Sequence, residues 1–349
     1  MIRMSLRPIP RPPHAVADAI ALLFIAGIAA AATFTGFLYL LFPELAALSH
    51  DVLTRPRGKW ASQPLRLLAT PVLTAILGTL VTQHLPYHVL SVLLIVGLSL
   101  LVMRLLRSAI APAISAGVLP LVLGVKSWMY PLAILFGVAV LVGLLIAWRK
   151  GGVLPRECPR HAAGDIDDVL ESQPGGRLWL AVLLVFVTGT GLAAQVTGLR
   201  FILFPPLIVM AYEMLGHPET CPWVKRPLSL PVVCFLTALG GFVATRLLGT
   251  GPLAAACSMA CGVVALRIFD VHMPPALAIG LIPLVMDAPD IKYPLSVAVG
   301  TIVLTGSCLV WWRIARAFAS TTRLAIADSA AALSQMADEP SETAVESRP

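Results

Sequence analysis

Apolar residues dominate two long blocks of the sequence, residues 16–150 and 178–314, and polar residues collect before, between and after them. Each block contains several apolar runs of about 15 to 22 residues, and a helix of that length covers a hydrocarbon core of ~30 Å. These runs lack the alternation of apolar and polar residues that strands of a membrane barrel require. The pattern therefore predicts an all-α polytopic membrane protein.

Turn signals and prolines divide each block into six segments. In the first block the predicted segments are 16–34, 37–53, 67–84, 88–107, 111–124 and 129–148. In the second block they are 178–196, 199–215, 230–247, 252–269, 274–287 and 293–313. The second and fifth segments of each block are short and carry proline near their start, so each is either a half-membrane helix or a kinked full span.

The two blocks match each other at a nearly constant offset, which indicates an internal duplication. At an offset of 162 the matched residues are Thr35, Gly36, Phe42 and Pro43 with Thr197, Gly198, Phe204 and Pro205. At an offset of 163 Tyr130-Pro131 matches Tyr293-Pro294, and Trp148 matches Trp311. We predict a basic N-terminal tail (1–15), membrane repeat 1 (16–150), a charged cytoplasmic linker (151–177), membrane repeat 2 (178–314) and a disordered cytoplasmic tail (315–349).

Composition and charge placement refine this picture. Hydrophobic residues make up 58% of the chain and charged residues only 12%, about half the ~25% of an average soluble domain. No segment outside the two blocks is long enough to bury a core of its own, which excludes large soluble enzymes. The net charge of +7 comes from basic clusters at one set of segment ends, so we interpret it as a topology signal and not as nucleic-acid binding.

The positive-inside rule then predicts the topology. Six crossings per repeat place the basic clusters and both termini in the cytoplasm of a bacterial-type inner membrane, with the two repeats parallel. Four basic residues fall on the outer side as exceptions: Lys126, Arg200, Arg246 and Lys292. The apolar stretch after the basic N-terminus is too long for a signal-peptide core, so no cleavage is expected.

The cysteines and the linker acids predict no cofactor and no metal site. Cys257 and Cys261 share a helix face, but no His or acid accompanies them, so core packing is expected and not zinc or a disulfide. Asp165, Asp167, Asp168 and Glu171 are interpreted as a solvated loop, because the spacing of a calcium loop is absent. No catalytic motif occurs in the sequence, which predicts that the protein is not an enzyme.

The prolines that open the short segments are candidates for a binding site. Phe42-Pro43, Phe204-Pro205-Pro206, Pro112 and Pro274-Pro275 mark these starts. A half-helix that begins inside the membrane presents unpaired N–H groups and the positive end of its dipole, which favours an anion. Kinked helices that bind no ligand are the alternative.

Three charged or titratable residues of repeat 2 join this candidate site. Glu213 follows Pro206 by two helical turns on the same face, and an ionisable residue inside a membrane segment is a functional candidate. Arg200 could compensate the charge of a planar anion, or snorkel to the outer surface. His272, with Asp270 nearby, could relay protons, or be an interfacial residue without a role.

Repeat 2 contains, in order over about 135 residues, FPPLIVMAYEML, a polar turn ending in Arg226-Pro227, LPVVCFLTALGGFVATRLLG and HMPPALAIGLIPLV. With this order of motifs it resembles the HPP family of integral membrane proteins, which is named for a His-Pro-Pro motif. The sequence departs from the His-Pro-Pro motif, since Met273 precedes the prolines and His272 is displaced by one. The resemblance implies transport of small anions such as nitrite. A weaker resemblance is to the membrane half of fusaric-acid-resistance proteins, which export aromatic acids.

Two classes of function follow from these observations. The first is a transporter or permease for a small anion, nitrite-like or a small carboxylate, with its site between the repeats. The second is a membrane scaffold or accessory subunit that transports nothing, because a duplication doubles a fold as readily as it builds a pathway. The expected partners are the lipid bilayer and a small anionic solute, and assembly into a homo-oligomer stays open.

Overall fold

The computed structural model describes residues 14–150, 172–175, 178–218 and 220–337. For the last part of the final helix (317–337) only the backbone is described. The described residues form helices and no strands, which confirms the predicted all-α class. The N-terminal arginines and the acidic group at 165–171 lie outside the described residues.

In the part of the chain that the structure describes, twelve main helices follow one another in two sets of six. The first set is α1 (His14–Thr35), α2 (Glu44–Thr54), α3 (Pro64–His84), α4 (Val89–Leu105), α5 (Pro112–Leu123) and α6 (Met129–Lys150). The second set is α7 (Leu178–Thr197), α8 (Pro205–Gly216), α9 (Ser229–Leu248), α10 (Pro252–Ile268), α11 (Pro274–Val285) and α12 (Lys292–Ala337). Short 3-10 turns at Leu38–Leu40 and Arg200–Leu203 precede α2 and α8, and a single helical turn spans Pro222–Lys225.

The short helices lie in the middle of the protein and the long ones surround them. Among the described residues, six helices are long and apolar enough to cross a membrane: α1, α3, α6, α7, α9 and the first part of α12. The helices α2, α5, α8 and α11 have 11 or 12 residues and are buried almost throughout. The long helices expose large apolar side chains such as Phe34, Leu65 and Leu247, as expected of helices that face lipid.

The two sets of helices pack against each other reciprocally. Helix α1 packs on α10 and α4 on α7, while α2 packs on α11 and α5 on α8. These four helix contacts therefore form two matched pairs, in which a helix of one set packs on the equivalent partner in the other set. This pairing places the four short helices at the interface between the two halves, residues 14–150 and 178–337.

Matched tyrosines make matched hydrogen bonds in the two halves. The Tyr130 hydroxyl donates to the Ala116 carbonyl oxygen at 2.9 Å, and the Tyr293 hydroxyl donates to the Ile279 carbonyl oxygen at 2.6 Å. Both partners lie at the offset of 163, and both tyrosines are buried. Each bond ties the first turn of a long helix (α6 or α12) to a buried short helix (α5 or α11).

We expect Tyr130→Phe to lower the free energy of unfolding by about 1 kcal/mol, because a buried carbonyl loses its donor. Thermal unfolding of the protein in detergent measures this loss. Tyr39→Phe is the matched control, since the Tyr39 hydroxyl makes no hydrogen bond to the described residues and its replacement should leave the melting temperature unchanged. Equal changes in melting temperature for the two variants would contradict a stabilising role of the hydrogen bond from Tyr130.

Helix ends that carry basic residues lie together at one end of the protein. The Arg149 side chain donates to the carbonyl oxygens of Pro56, at 2.9 Å, and of Ala61. The Gln173 amide donates to the Met103 carbonyl oxygen at 3.0 Å. The ends of α2, α4 and α6 and the short linker segment 172–175 therefore meet at one end, which we call the basic end. Lys126 lies at the opposite end, where Gln83 at the end of α3 donates to its carbonyl oxygen at 2.8 Å.

Two sequence-based expectations differ from the structure. Cys257 and Cys261 are exposed on the outer face of α10, so the prediction of core packing is wrong, because an all-apolar helix gives no sign of which face meets lipid. Helix α12 continues to Ala337, whereas the sequence predicts a disordered tail from residue 315. Of the other described cysteines, Cys221, Cys234 and Cys308 are buried free thiols.

Candidate functional site

Ionisable side chains from both halves meet at the basic end, in a group that we call the ionic cluster. Its members come from α1, α2, α10 and the turn before α11: Asp18, His50, Asp51, Arg55, Arg267 and His272. Asp51 is fully buried, and Asp18 and His50 are less than a tenth exposed. Such a group inside a membrane protein is costly to bury and is therefore a functional candidate.

Helix α2 positions three members of the cluster. His50 and Asp51 lie in its last turns and Arg55 follows its end, so that they face α1 on one side and α11 on the other. His272 lies in the turn between α10 and α11, and the Trp223 indole N–H holds this turn by donating to the His272 carbonyl oxygen at 3.1 Å. The matched indole, Trp60, donates to the Ala109 carbonyl oxygen at 2.9 Å.

Each aspartate of the cluster contacts one arginine and one histidine. Asp51 Oδ1 lies 3.1 Å from the Arg55 guanidinium and 3.2 Å from His272 Nε2. Asp18 Oδ1 lies 3.2 Å from His50 Nε2, and the other Asp18 oxygen pairs with Arg267. The cluster has no net charge when both histidines are neutral and a charge of +2 when both are protonated.

Two of these contacts join the two halves of the protein. Asp18 of α1 pairs with Arg267 of α10, and Asp51 of α2 contacts His272 before α11. The imidazole rings of His50 and His272 are 6.1 Å apart. His50 Nδ1 and Asp51 Oδ2 are buried and make no hydrogen bond to the residues that the structure describes. The cluster therefore offers buried donor and acceptor positions to a proton or to a small polar solute.

Asp51 of the cluster has an acidic counterpart in the second half, whereas His272 has no histidine counterpart in the first half. Glu213 matches Asp51 at the offset of 162 and is also buried, near the end of α8. His217 matches Arg55, and its Nε2 lies 3.1 Å from the Ser172 carbonyl oxygen. Burial lowers the pKa of His217. Ala109 matches His272, so the first half supplies no imidazole to Glu213 at that position.

Arg200 lies apart from Glu213 and His272, the other two ionisable residues of the predicted site. It is exposed in the 3-10 turn before α8, with its guanidinium 5.3 Å from the centre of the Tyr87 ring. Glu213 is eight residues beyond the start of α8, about 12 Å along the helix, toward the end where His272 lies. The structure therefore brings His272 to the cluster, places Glu213 at the same end and leaves Arg200 at the opposite end.

The predicted prolines begin short helices, as the half-helix interpretation requires. Pro112, Pro205 and Pro274 occupy the first turns of α5, α8 and α11, and Pro43 immediately precedes α2. The neighbours Phe42, Phe204, Pro206 and Pro275 are buried with them. Helices α2 and α8 are separate from the 3-10 turns before them, which distinguishes them from kinked full spans.

Sequence reasoning missed Asp18, Arg267 and Glu44 as candidates. Asp18 and Arg267 are 249 residues apart and meet only because α1 packs on α10. Glu44 is buried at the start of α2, where an acid in the first turn is also common in helices without a function. The rule that any acid inside an apolar segment is a candidate would have found Asp18 and Glu44.

Comparisons with known proteins found no matching family model, no matching curated protein and no matching solved structure. The fold and the cluster define a multi-pass helical membrane protein with buried ionisable groups between its two halves.

Proposed function

We propose that the protein is a proton-coupled transporter for a small anion, either nitrite-like or a small carboxylate, with its pathway between the two halves. The observation that carries the proposal is the ionic cluster, in which buried pairs from α1 and α2 reach across to α10 and to His272. The basic end is cytoplasmic in this proposal, following the positive-inside rule. Both termini are then cytoplasmic, in a bacterial-type inner membrane.

The free-energy cost of burying the ionic cluster favours a role in transport over a purely structural role. Well-packed apolar residues usually stabilise a buried interface as well as an ion pair does, because both charges must leave water. A scaffold would gain nothing from burying Asp51 and Asp18 between its halves. A transporter gains a contact between moving parts whose charge depends on protonation.

Histidine chemistry supplies the coupling. Protonation of His50 and His272 adds two positive charges beside the buried atoms His50 Nδ1 and Asp51 Oδ2. The positive charge attracts an anion, and imidazoles change their protonation state near neutral pH. Release of the anion and of the protons to the cytoplasm returns the cluster to neutrality. Arg200 at the opposite end then attracts anions to the outer entrance, and the HPP resemblance supports the same substrate class.

Uptake by proteoliposomes tests the proposal. Radiolabelled nitrite, nitrate, formate and an aromatic acid are offered with the outside more acidic than the inside, and we expect accumulation of at least one of them. His272→Gln should lower the rate by about tenfold, the equivalent of one charge-assisted hydrogen bond. His84→Gln is the matched control, because His84 is exposed at the opposite end. A folded protein that moves none of the four anions would contradict the proposal.

The alternative, an accessory subunit, has one observation in its favour. Helix α12 continues from Arg316 to Ala337 beyond its membrane-crossing part, which adds about 30 Å of helix on the cytoplasmic side. Such an extension is a suitable element for binding a partner protein. Removal of residues 317–349 distinguishes the two functions, since a transporter should keep its uptake rate and an accessory subunit should lose its partner.

A further inference from the structure

Glu44 is a buried carboxyl group near the middle of the membrane. It is the first residue of α2, is 1% exposed and lies ten residues before Thr54 at the basic end. Ten residues of helix extend about 15 Å, half of a hydrocarbon core of ~30 Å. Glu44 therefore lies at about the depth where a charge is most costly.

The surroundings of Glu44 favour its uncharged form. The Ser115 hydroxyl of α5 donates to Oε1, and Oε2 is buried without a hydrogen bond to the described residues. No Lys, Arg or His of the described residues forms an ion pair with it. A buried carboxylate without a counter-charge is far less stable than the neutral acid.

The other titratable groups that face Glu44 already have partners. Tyr130 of α6 and Tyr293 of α12 interact electrostatically with Glu44, and their hydroxyls donate to backbone carbonyls. Helix α11 presents no titratable side chain (274–285), and Asp18 of α1 pairs at the basic end. Glu44 is thus the group in this neighbourhood that can exchange a proton.

The fold does not require the pair formed by Glu44 and Ser115. At the matched positions of the second half the sequence has Pro206 and Ala278, both buried in the equivalent short helices. The second half therefore folds with apolar residues where the first half has an acid and its hydrogen-bond donor. A purely structural role would allow the same replacement in the first half.

Glu44 and Asp51 lie on one face of α2. They are seven residues apart, which is two helical turns and about 10 Å along the axis. Asp51 belongs to the ionic cluster, so one helix face connects the cluster with the middle of the membrane.

We propose that Glu44 is an intramembrane proton-binding site that carries the coupling proton between the outer side and the ionic cluster. This inference rests on the proposed transport function. Glu44 binds one proton on its carboxyl group, moves with it as a neutral acid, and releases it toward Asp51 and the histidines, which leaves a carboxylate. The second half has no counterpart of Glu44. We therefore expect each chain to bind one proton in the middle of the membrane.

Infrared spectroscopy tests the proton site without any transported solute. The carbonyl stretch of a protonated carboxylic acid is separate from the bands of a carboxylate, and we expect such a band at neutral pH that disappears reversibly at alkaline pH. It should be missing in Glu44→Gln, shifted in Ser115→Ala because the hydrogen bond is lost, and unchanged in Asp287→Asn, which alters an exposed acid at the opposite end. Identical spectra for the wild type and Glu44→Gln at neutral pH would overturn the proposal.

Transport measurements test the coupling role separately. Glu44→Gln should lose accumulation driven by a pH gradient and retain exchange of labelled for unlabelled solute, since exchange needs no net proton movement. Unchanged accumulation would overturn the coupling role. If the wild type transports no solute at all, the proposed function fails, while the infrared band still decides whether Glu44 binds a proton.

Discussion

Gly241→Ala is expected to destabilise the protein by about 3 kcal/mol, because the two helices that cross at this glycine have no room for a methyl group. A Cβ atom at residue 241 would lie 1.9 Å from the carbonyl oxygen of Gly280 and 2.7 Å from its carbonyl carbon. Both are backbone atoms, so α9 and α11 must separate. Thermal unfolding in detergent should show a large fall in melting temperature and a lower yield of folded protein.

Two further substitutions make this expectation specific. Gly78→Ala should cause a loss of similar size, since its Cβ would lie 2.0 Å from the carbonyl oxygen of Gly117 at the matched crossing of α3 and α5. Gly189→Ala in α7 is the control, because a Cβ there meets no atom within 4 Å. Alanine in an open helical position should be neutral or stabilising by up to about 1 kcal/mol. Equal melting temperatures for Gly241→Ala and Gly189→Ala would contradict the packing described above.

Asp51→Asn is expected to destabilise the protein by about 3 kcal/mol, because it removes a buried negative charge that faces Arg55 and His272. The amide keeps the shape of the side chain, so a cavity does not explain the loss. Thermal unfolding and the rate of limited proteolysis both report it. Asp287→Asn, an exposed acid at the opposite end, should melt like the wild type.

A double-mutant cycle separates the contact between the halves from the rest of the cluster. If Asp51 and His272 interact directly, Asp51→Asn combined with His272→Gln should cost about 1 to 2 kcal/mol less than the sum of the two single losses. Additive losses would show that the 3.2 Å contact between Asp51 and His272 contributes nothing to stability.

The sequence was sufficient to predict the helices, but the predicted segments 37–53 and 199–215 begin six or seven residues before α2 and α8. Run length fixes which segments can cross a membrane, and the prolines at 43, 112, 205 and 274 fix the helix starts, because proline lacks the N–H that an interior position needs. The position of His272 just before the prolines that open α11 was also informative. These features depend on local chemistry that the sequence displays directly.

The remaining features depend on packing between distant helices. Membrane helices are apolar on both faces, so the sequence could not show that Cys257 and Cys261 face outward or that α2 and α11 are buried. Glu44 and Ser115 are 71 residues apart and meet because α2 packs beside α5. Arg200 likewise lies far from His272 because α8 runs from the turn that holds Arg200 toward the basic end. The positions of the charged residues in the sequence do not reveal this direction.

The most direct test of proton-coupled transport is a pH measurement inside proteoliposomes. A pH-sensitive dye is enclosed, no pH gradient is imposed, and nitrite or formate is added outside. The proposed function predicts that the interior acidifies as labelled solute enters, and that vesicles with the His272→Gln variant acidify about as slowly as vesicles without protein. Entry of the labelled anion through the folded wild-type protein, with no acidification beyond that of protein-free vesicles, would contradict proton coupling.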